Sequence, residues 1–388
     1  MKRIGNIYEK ICSLENLNKA YLLARPKAKK QAKTNKAKKR LFEEVEANKE
    51  YYLKKLQESL INKTYKTSEY KIFKKYDSGK VREITDLPFY PDRIAHRALM
   101  LHIEPIIKRL LIYHTYAALP GKGSHLALYK LRQFMKKDKE GTKYCLKTDV
   151  KKYFNNIDKN ILKEMLRRYI KCKDTLWLLD EIIDSYPQGI PIGNYTSQYF
   201  GNFYLSEFDH WIKEVMRQKY YMRYMDDKIF LAPDKESLHC LRKEIQQYLA
   251  NIGLTLKDNY QVFPTRILEQ EIEDSLNTET TNKKRVRGID FVGYRTFDDY
   301  TLLRKSIKKR LKKATRVIQK RVDCKQELTS KNLGAYASYN GILKHCSSFR
   351  LRNNSLKTVQ KYIEKEIKKC KNTKKSTEHK QTDRKKLK

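Results

Sequence analysis

No apolar run in this 388-residue chain approaches the roughly 20 residues needed to span a bilayer. The opening stretch MKRIGNIYEK also has no apolar core of the kind that directs secretion. The expectation is a cytoplasmic protein with no membrane partner. The seven cysteines (Cys12, Cys145, Cys172, Cys240, Cys324, Cys346 and Cys370) are odd in number, scattered and never spaced as CxxC, so they read as reduced thiols. The eight histidines form no HxxxH and no Cys/His group, which excludes a zinc ligand set and leaves hard, oxygen-held metals. No internal repeat is present. PGKGSH is half a phosphate loop, but Gly123 stands where Ser or Thr should follow the lysine and no glycine precedes at the right interval. A nucleotide hydrolase is rejected on that ground.

Acid is scarce. Lys and Arg number 86 against 45 Asp and Glu, for a formal charge of +41. That excess is far beyond what solubility needs and points to a polyanion whose phosphates release counterions on binding, nucleic acid first. The charge is concentrated in RPKAKKQAKTNKAKKR, from Arg25 to Arg40, and in the tail from Lys371. Neither stretch holds much apolar surface, so both are expected to be exposed, either as solvated mobile segments or as clamps on RNA.

Between them the pattern is mixed. YKIFKKYDSGKVREITDLP reads as a hairpin turning at Ser78 and Gly79, and DRIAHRALMLHIEPIIKRLL has helical spacing. TKYCLKTDVKKYF is a strand and a turn, residues 161–186 are largely helical, and TSQYFGNFYLSEFDHWIKEVM is a long helix with an aromatic face. A strand, a turn at Asp226 and Asp227, a second strand and a helix capped by Asp234 and closed by Gly253 follow. GIDFVGYR is another strand pair, and the helix after it carries Ile307, Leu311, Ala314 and Ile318 on one face of an otherwise cationic cylinder. Strands and helices alternate without a regular βα period, which predicts an α+β fold.

RYMDDKIFLA sets two aspartates between apolar runs. Side chains alternate along a strand, so one of the two looks into a cleft while its neighbour points aside, and the pair needs a third acid. Asp149, where the strand from Tyr144 ends in CLKTDVKKYFNNI, is the candidate. If the two strands are neighbours, Asp149 and Asp226 face each other and can hold two Mg²⁺ about 4 Å apart, the arrangement that stabilises both oxygens of an in-line displacement at phosphorus. A lone Y-x-D-D decides little in a tyrosine-rich chain, since aspartate is common in turns.

Three further stretches fall in order around it. KTDVKKYFNNI resembles the first catalytic motif of reverse transcriptases, GIPIGNYTSQYFGNFYL the second and YMDD the third, while GIDFVGYR resembles the primer-grip strand pair. The resemblance runs from near Lys74 to near His345. It implies a right-hand polymerase with an antiparallel palm sheet and a helical thumb. Residues 1–60 would be a basic N-terminal extension, 61–300 the fingers and palm, 301–370 the thumb, and 371–388 a basic tail expected to be disordered.

Residue by residue, the resemblance implies that Asp149, Asp226 and Asp227 are catalytic and hold two Mg²⁺, with Val150 lending a carbonyl. Tyr224, Met225, Gly293 and Tyr294 would lie at the primer. Lys75 and Arg82 would grip the incoming triphosphate, and Phe154 would exclude the ribose 2′-hydroxyl; packing or plain surface roles stay open for these side chains. Ile192, Gly193, Ser197 and Gln198 would line the nucleotide site. Most reverse transcriptases read Q-G-x-x-x-S-P there, whereas this chain reads I-G-x-x-x-S-Q, similar to the enzymes of diversity-generating retroelements. Loss of the amide implies weaker discrimination between nucleotides, hence error-prone copying at template adenines, with a small basic accessory protein as partner beside the RNA template, the DNA or RNA primer and the dNTPs. Only about forty residues follow His345, and a folded RNase H or endonuclease unit is not expected there. A phage-defence or retron-like reverse transcriptase, and a non-catalytic RNA-binding or splicing-helper protein, are the competing readings.

Overall fold

The computed structural model describes residues 3–77, 80–266 and 286–364. The expected turn at Ser78 and Gly79, Cys370 and the 371–388 tail lie outside the described residues. The chain divides into two compact units, Met1–Gly123 with Tyr144–Phe263, and Ser124–Lys143 with Pro264–Lys388. The fold is α+β with antiparallel strand pairs, as the mixed pattern predicts.

The first unit begins with four helices, α1 (Tyr8–Cys12), α2 (Leu14–Ala32), α3 (Lys36–Ala47) and α4 (Lys49–Ile61). From Arg25 to Arg40 the chain is mostly exposed, as expected, but it is mostly helical, and Ala28 and Ala32 within it are buried. Ala20, Ala24, Ala28 and Ala32 recur at every fourth position of α2 and are buried, so the small side chains form a stripe that lets α2 lie against α5 (Ile94–Leu110). The Ser13 hydroxyl caps α2 by accepting from the Asn16 amide at 3.2 Å. A scarcity of large apolar residues thus disguised a buried face.

Strands β1 (Lys71–Asp77) and β2 (Lys80–Asp86) form the expected hairpin. Helix α6 (Ser124–Lys137) belongs to the second unit, and the chain returns to the first with β3 (Tyr144–Thr148). Next come α7 (Tyr153–Asn156), α8 (Lys159–Tyr169), α9 (Lys173–Asp184), α10 (Tyr195–Tyr204) and α11 (Ser206–His210). The anticipated long helix is therefore interrupted at Leu205 and ends in a wide turn over Trp211–Val215. Strands β4 (Tyr220–Tyr224) and β5 (Asp227–Ala232), helix α12 (Lys235–Asn251) and β6 (Gln261–Pro264) complete the unit. The sheet order is β4-β5-β3-β6, and β5 runs antiparallel to both neighbours. Leu146, Tyr221 and Phe230 of this sheet join α5, α10 and α12 residues in one apolar core.

The second unit holds β7 (Ile289–Phe291), β8 (Tyr294–Thr296) and β9 (Thr301–Leu303) in a three-stranded sheet, then α13 (Lys305–Asp323), α14 (Ser330–Leu343) and α15 (Phe349–Ser355). Its core gathers Leu311 and Ile318 of α13 with Tyr294, Tyr336 and Leu343.

Candidate active site

Sheet register builds the site. β3 ends at Thr148, paired with Lys228 at the start of β5, so the residue after β3 and the turn before β5 meet at one end of the sheet. The Asp149 and Asp226 carboxyls come close enough there to interact directly. Burial, and then the adjacent Asp149 charge, push the Asp226 carboxyl up. Burial works in the same direction on Asp149, but the interaction with Asp226 and the ion pair with Lys257 outweigh it and hold that group low. Asp227 points elsewhere, its carboxylate lying 3.5 Å from Lys147 Nζ across the sheet. The alternation argument thus describes the pair as it stands: Asp226 meets Asp149 and Asp227 turns aside.

Lys257 was not foreseen. Its backbone amide donates to the Asp149 carbonyl at 3.0 Å while its ammonium reaches the Asp149 carboxylate. The bridge between Val150 and Leu256 uses the Asp149 carbonyl and the Lys151 amide, and Val150 itself is fully buried. Lys228 is also fully buried, donates to the Asp226 carbonyl at 3.0 Å, and is pushed down by that burial, with Asp226 opposing.

A second buried cluster supports the turn. Arg223 and Asp209 are an ion pair whose side chains are 0% exposed. Asp209 also accepts from the Tyr221 hydroxyl at 2.6 Å and the Thr115 hydroxyl at 3.3 Å. Arg223 donates onward to the Asn202 carbonyl at 3.1 Å and to the Met225 carbonyl at 2.9 Å. Met225 needs that anchor, since its φ of +57° is left-handed and disfavoured for a side chain with a Cβ. The anchor fixes the backbone one residue before Asp226.

Met225 and Phe154 meet over Gly201 of α10. A Cβ at Gly201 would lie 3.3 Å from Met225 Sδ and 3.4 Å from the Phe154 ring, tighter than ordinary contact. Tyr153 donates its hydroxyl to the Gly201 carbonyl and packs edge-on to Phe154. Phe154 is half-buried, so it packs and presents a ring at once. Tyr224 pairs with Asp227 across the turn.

Lys75 and Arg82 are paired directly opposite in the hairpin and both are exposed. Like charges so placed repel, at a cost of roughly 0.2–1 kcal/mol that an anion between them would offset. The hairpin is tied to the turn at Ile192 and Gly193 that leads into α10, because the Thr85 amide and hydroxyl both donate to the Ile192 carbonyl, at 2.7 and 3.1 Å. Gly193 makes this approach possible: its φ is +134°, and a Cβ would fall 2.3 Å from the Thr85 carbonyl oxygen. Ile192 is half-buried, Ser197 buried and Gln198 exposed.

Gly293 and Tyr294 belong to the second unit. Gly293 has a φ of +93°, and Tyr294 is a core residue, 2% exposed, with its hydroxyl on the Ile342 carbonyl at 3.1 Å. Six cysteines are described and all are free thiols. Among the described residues, no helix is long and apolar enough to cross a membrane, and no group of three or more His, Cys, Asp and Glu is arranged to hold a metal ion. The Asp149–Asp226 pair nevertheless fits a divalent cation: its donors are hard oxygens, and a shared dication relieves the repulsion that raises Asp226.

Residues 72–295 match the family described as Reverse transcriptase (RNA-dependent DNA polymerase). Nuclear intron maturase 1, mitochondrial, of Arabidopsis thaliana is 24% identical over 104 residues, 26% of this chain and 14% of that protein. Protein YkfC of Escherichia coli (strain K12) is 25% identical over 148 residues, 35% and 39% of the two chains. Both matches thus span well under half of the relative's length. Among solved structures, telomerase from Candida tropicalis in complex with a fragment of telomeric RNA aligns with a TM-score of 0.47 and 13% identity, covering 80% of this chain and 58% of that one.

Proposed function

Because this chain belongs to the reverse transcriptase (RNA-dependent DNA polymerase) family, we propose that it is an RNA-directed DNA polymerase, extending a DNA or RNA primer on an RNA template. The observation that carries the reading is the contact between the Asp149 and Asp226 carboxyls at the end of one sheet. Members of the family generally use divalent metals. Asp149 and Asp226, with Asp227 and the Val150 carbonyl as further oxygen donors, would hold two Mg²⁺, and these ions supply charge neutralisation for the attacking 3′-oxygen and the departing pyrophosphate.

The chain's own residues do the rest. Lys75 and Arg82, opposite each other on an exposed hairpin, hold triphosphate oxygens as a point charge and a fork. Phe154 presents its ring to the sugar, and Gly201 gives that ring room. Tyr224 and Met225 support the primer end, and Arg223 fixes the turn they sit on. The I-G-x-x-x-S-Q form of residues 192–198 favours the diversity-generating subtype: Ile192 offers no side-chain amide, so nucleotide selection relies on fewer hydrogen bonds and copying is error-prone. A small basic accessory protein would assist. In domain terms, 61–300 act as fingers and palm and 301–370 as thumb.

Primer extension on an RNA template, with and without Mg²⁺, tests the reading. Wild type is expected to extend and Asp226→Asn to be inert. Extension that persists in Asp226→Asn overturns the assignment, and a wild type that binds primed RNA yet adds no nucleotide favours a non-catalytic RNA-binding protein.

A further inference from the structure

The first unit contains a cavity of about 150 Å³ that shares Gly193 and Gln198 with the expected nucleotide site, while its charged walls have no role in that reading. Its walls are Lys27 from α2, Arg93, His96 and Arg97 around the start of α5, Gly193 from the turn before α10 and Gln198 from α10 itself. Charge there does not balance. Asp86 accepts from both Lys38 and Arg93, so one carboxylate already faces two cations. Lys27 and Arg97 make no ion pair with any described carboxylate. Burial, and then the neighbouring Arg93, push the Lys27 ammonium below its usual value, with Asp86 only partly opposing. The Arg97 guanidinium is held 3.5 Å from the centre of the Tyr195 ring, which fixes it while leaving N–H groups for a ligand.

A second observation points the same way. His96 is 3% exposed and lines the cavity, and its Nε2 has no hydrogen-bond partner. Buried polar groups are rarely left so. A partnerless imidazole nitrogen, which donates in the Nε2–H tautomer, an unpaired ammonium and an oriented guanidinium around one small space suit an anion. Whole small-molecule ligands usually occupy about 300–1,000 Å³, so this space takes one phosphate group and not a nucleoside triphosphate. Exposed Lys29 and Lys30 near the end of α2, and Lys33 just after it, follow Lys27 in the chain, which suits a phosphate that is one of a series along a strand.

We propose that this cavity grips one backbone phosphate of the RNA template, with Lys27 and Arg97 as its ionic contacts and His96 Nε2 as a hydrogen-bond donor. The inference rests on the polymerase reading for the identity of the strand: the turn that forms one wall carries Ile192, which that reading sets beside the templating pair. The N-terminal helices thereby become part of the template path, and α2 serves both as packing and as contact.

Fluorescence anisotropy of the full chain with a labelled RNA template annealed to a DNA primer, over a KCl series, tests this. Lys27→Gln with Arg97→Gln is expected to weaken binding about tenfold or more and to flatten the log Kd against log[salt] slope by about one. Lys54→Gln with Lys55→Gln, on the exposed face of α4, is the matched charge control and is expected to leave both unchanged. A cavity variant with wild-type affinity and slope overturns the proposal. So does one that alters only the KM for dNTPs, which would assign the cavity to the triphosphate. Should the double variant misfold, acylation of wild-type Lys27 is the second measurement. Protection by primed RNA but not by dNTP supports the proposal, and equal labelling with and without RNA defeats it. Loss of Mg²⁺-dependent extension with Lys27 protection intact would sink the polymerase reading alone.

Discussion

Two charge clusters, one buried and one half-buried, approach each other at the β4–β5 turn through Arg223 and Asp226, and they are built on opposite plans. Asp209 and Arg223 are fully enclosed and of opposite sign, and Asp209 also accepts from two hydroxyls. Asp149 and Asp226 are of like sign, in contact, and held by lysines on their flanks. The first cluster finishes its electrostatics inside the fold. The second does not, since Lys257 and Lys228 leave Asp226 raised. A fold that neutralises one acid so completely leaves its neighbour under-compensated, an imbalance that the proposed cation would relieve.

Substitution should separate the two plans. Asp226→Asn removes one of two repelling charges without changing shape, so extension is expected to fall by at least about 10³-fold while the thermal midpoint holds or rises. A lowered midpoint with activity kept would erase the distinction. Arg223→Met does the reverse. It strands Asp209 and should cost about 3–5 kcal/mol in urea unfolding, whatever its effect on chemistry, because an uncompensated buried charge is left behind.

His96 extends the comparison to a buried group with no partner for its Nε2. Burial pushes its imidazole down to about 4, with Asp92 opposing. The folded state therefore refuses a proton that the unfolded chain accepts near pH 6.5, so stability is full above that value and is lost as pH falls toward 4. The loss amounts to about 3 kcal/mol at 1.36 kcal/mol per unit. Urea midpoints at both ends of that window should show this slope in wild type and a shallower one in His96→Gln; identical slopes would mean that the ring is solvated.

Legibility in the sequence followed how local each cause was. The aspartate pair was readable because strand alternation and a short turn fix where neighbouring side chains point. The α+β class and the hairpin were readable from periodicity. Lys257 was not, since it lies 108 residues from the carboxylate it reaches, one of 86 cations in the chain. Arg223 stands beside the quoted aspartates, yet its partner Asp209 sits on a short helix that gives no sign of burial in sequence. The alanine stripe of α2 was hidden because alanine contributes little hydrophobicity while allowing close helix approach. The burial of Tyr294 in the core of the second unit was not legible, since a phenol with one carbonyl partner looks in sequence like any exposed tyrosine.

Phe154 and Ile192 sit between the two plans, each half-buried against the fold and each assigned a substrate role only in the proposed reading. Phe154 contacts the Gly201 site and Tyr153 but is half-buried, so Phe154→Ala should cost some stability and admit ribonucleotides by about 10–100-fold in relative kcat/KM; unchanged sugar discrimination would make it a packing residue alone. Ile192 is bound to the fold through its carbonyl, which accepts from Thr85 whatever the side chain is. Ile192→Gln should therefore leave the turn and the unfolding midpoint intact and act on nucleotide choice, lowering misincorporation opposite template adenines by a few-fold, under about 1.4 kcal/mol. Sequencing of cDNA from both proteins reads the effect directly. An unaltered error spectrum would place Ile192 with Arg223, among residues whose partners lie wholly inside the fold.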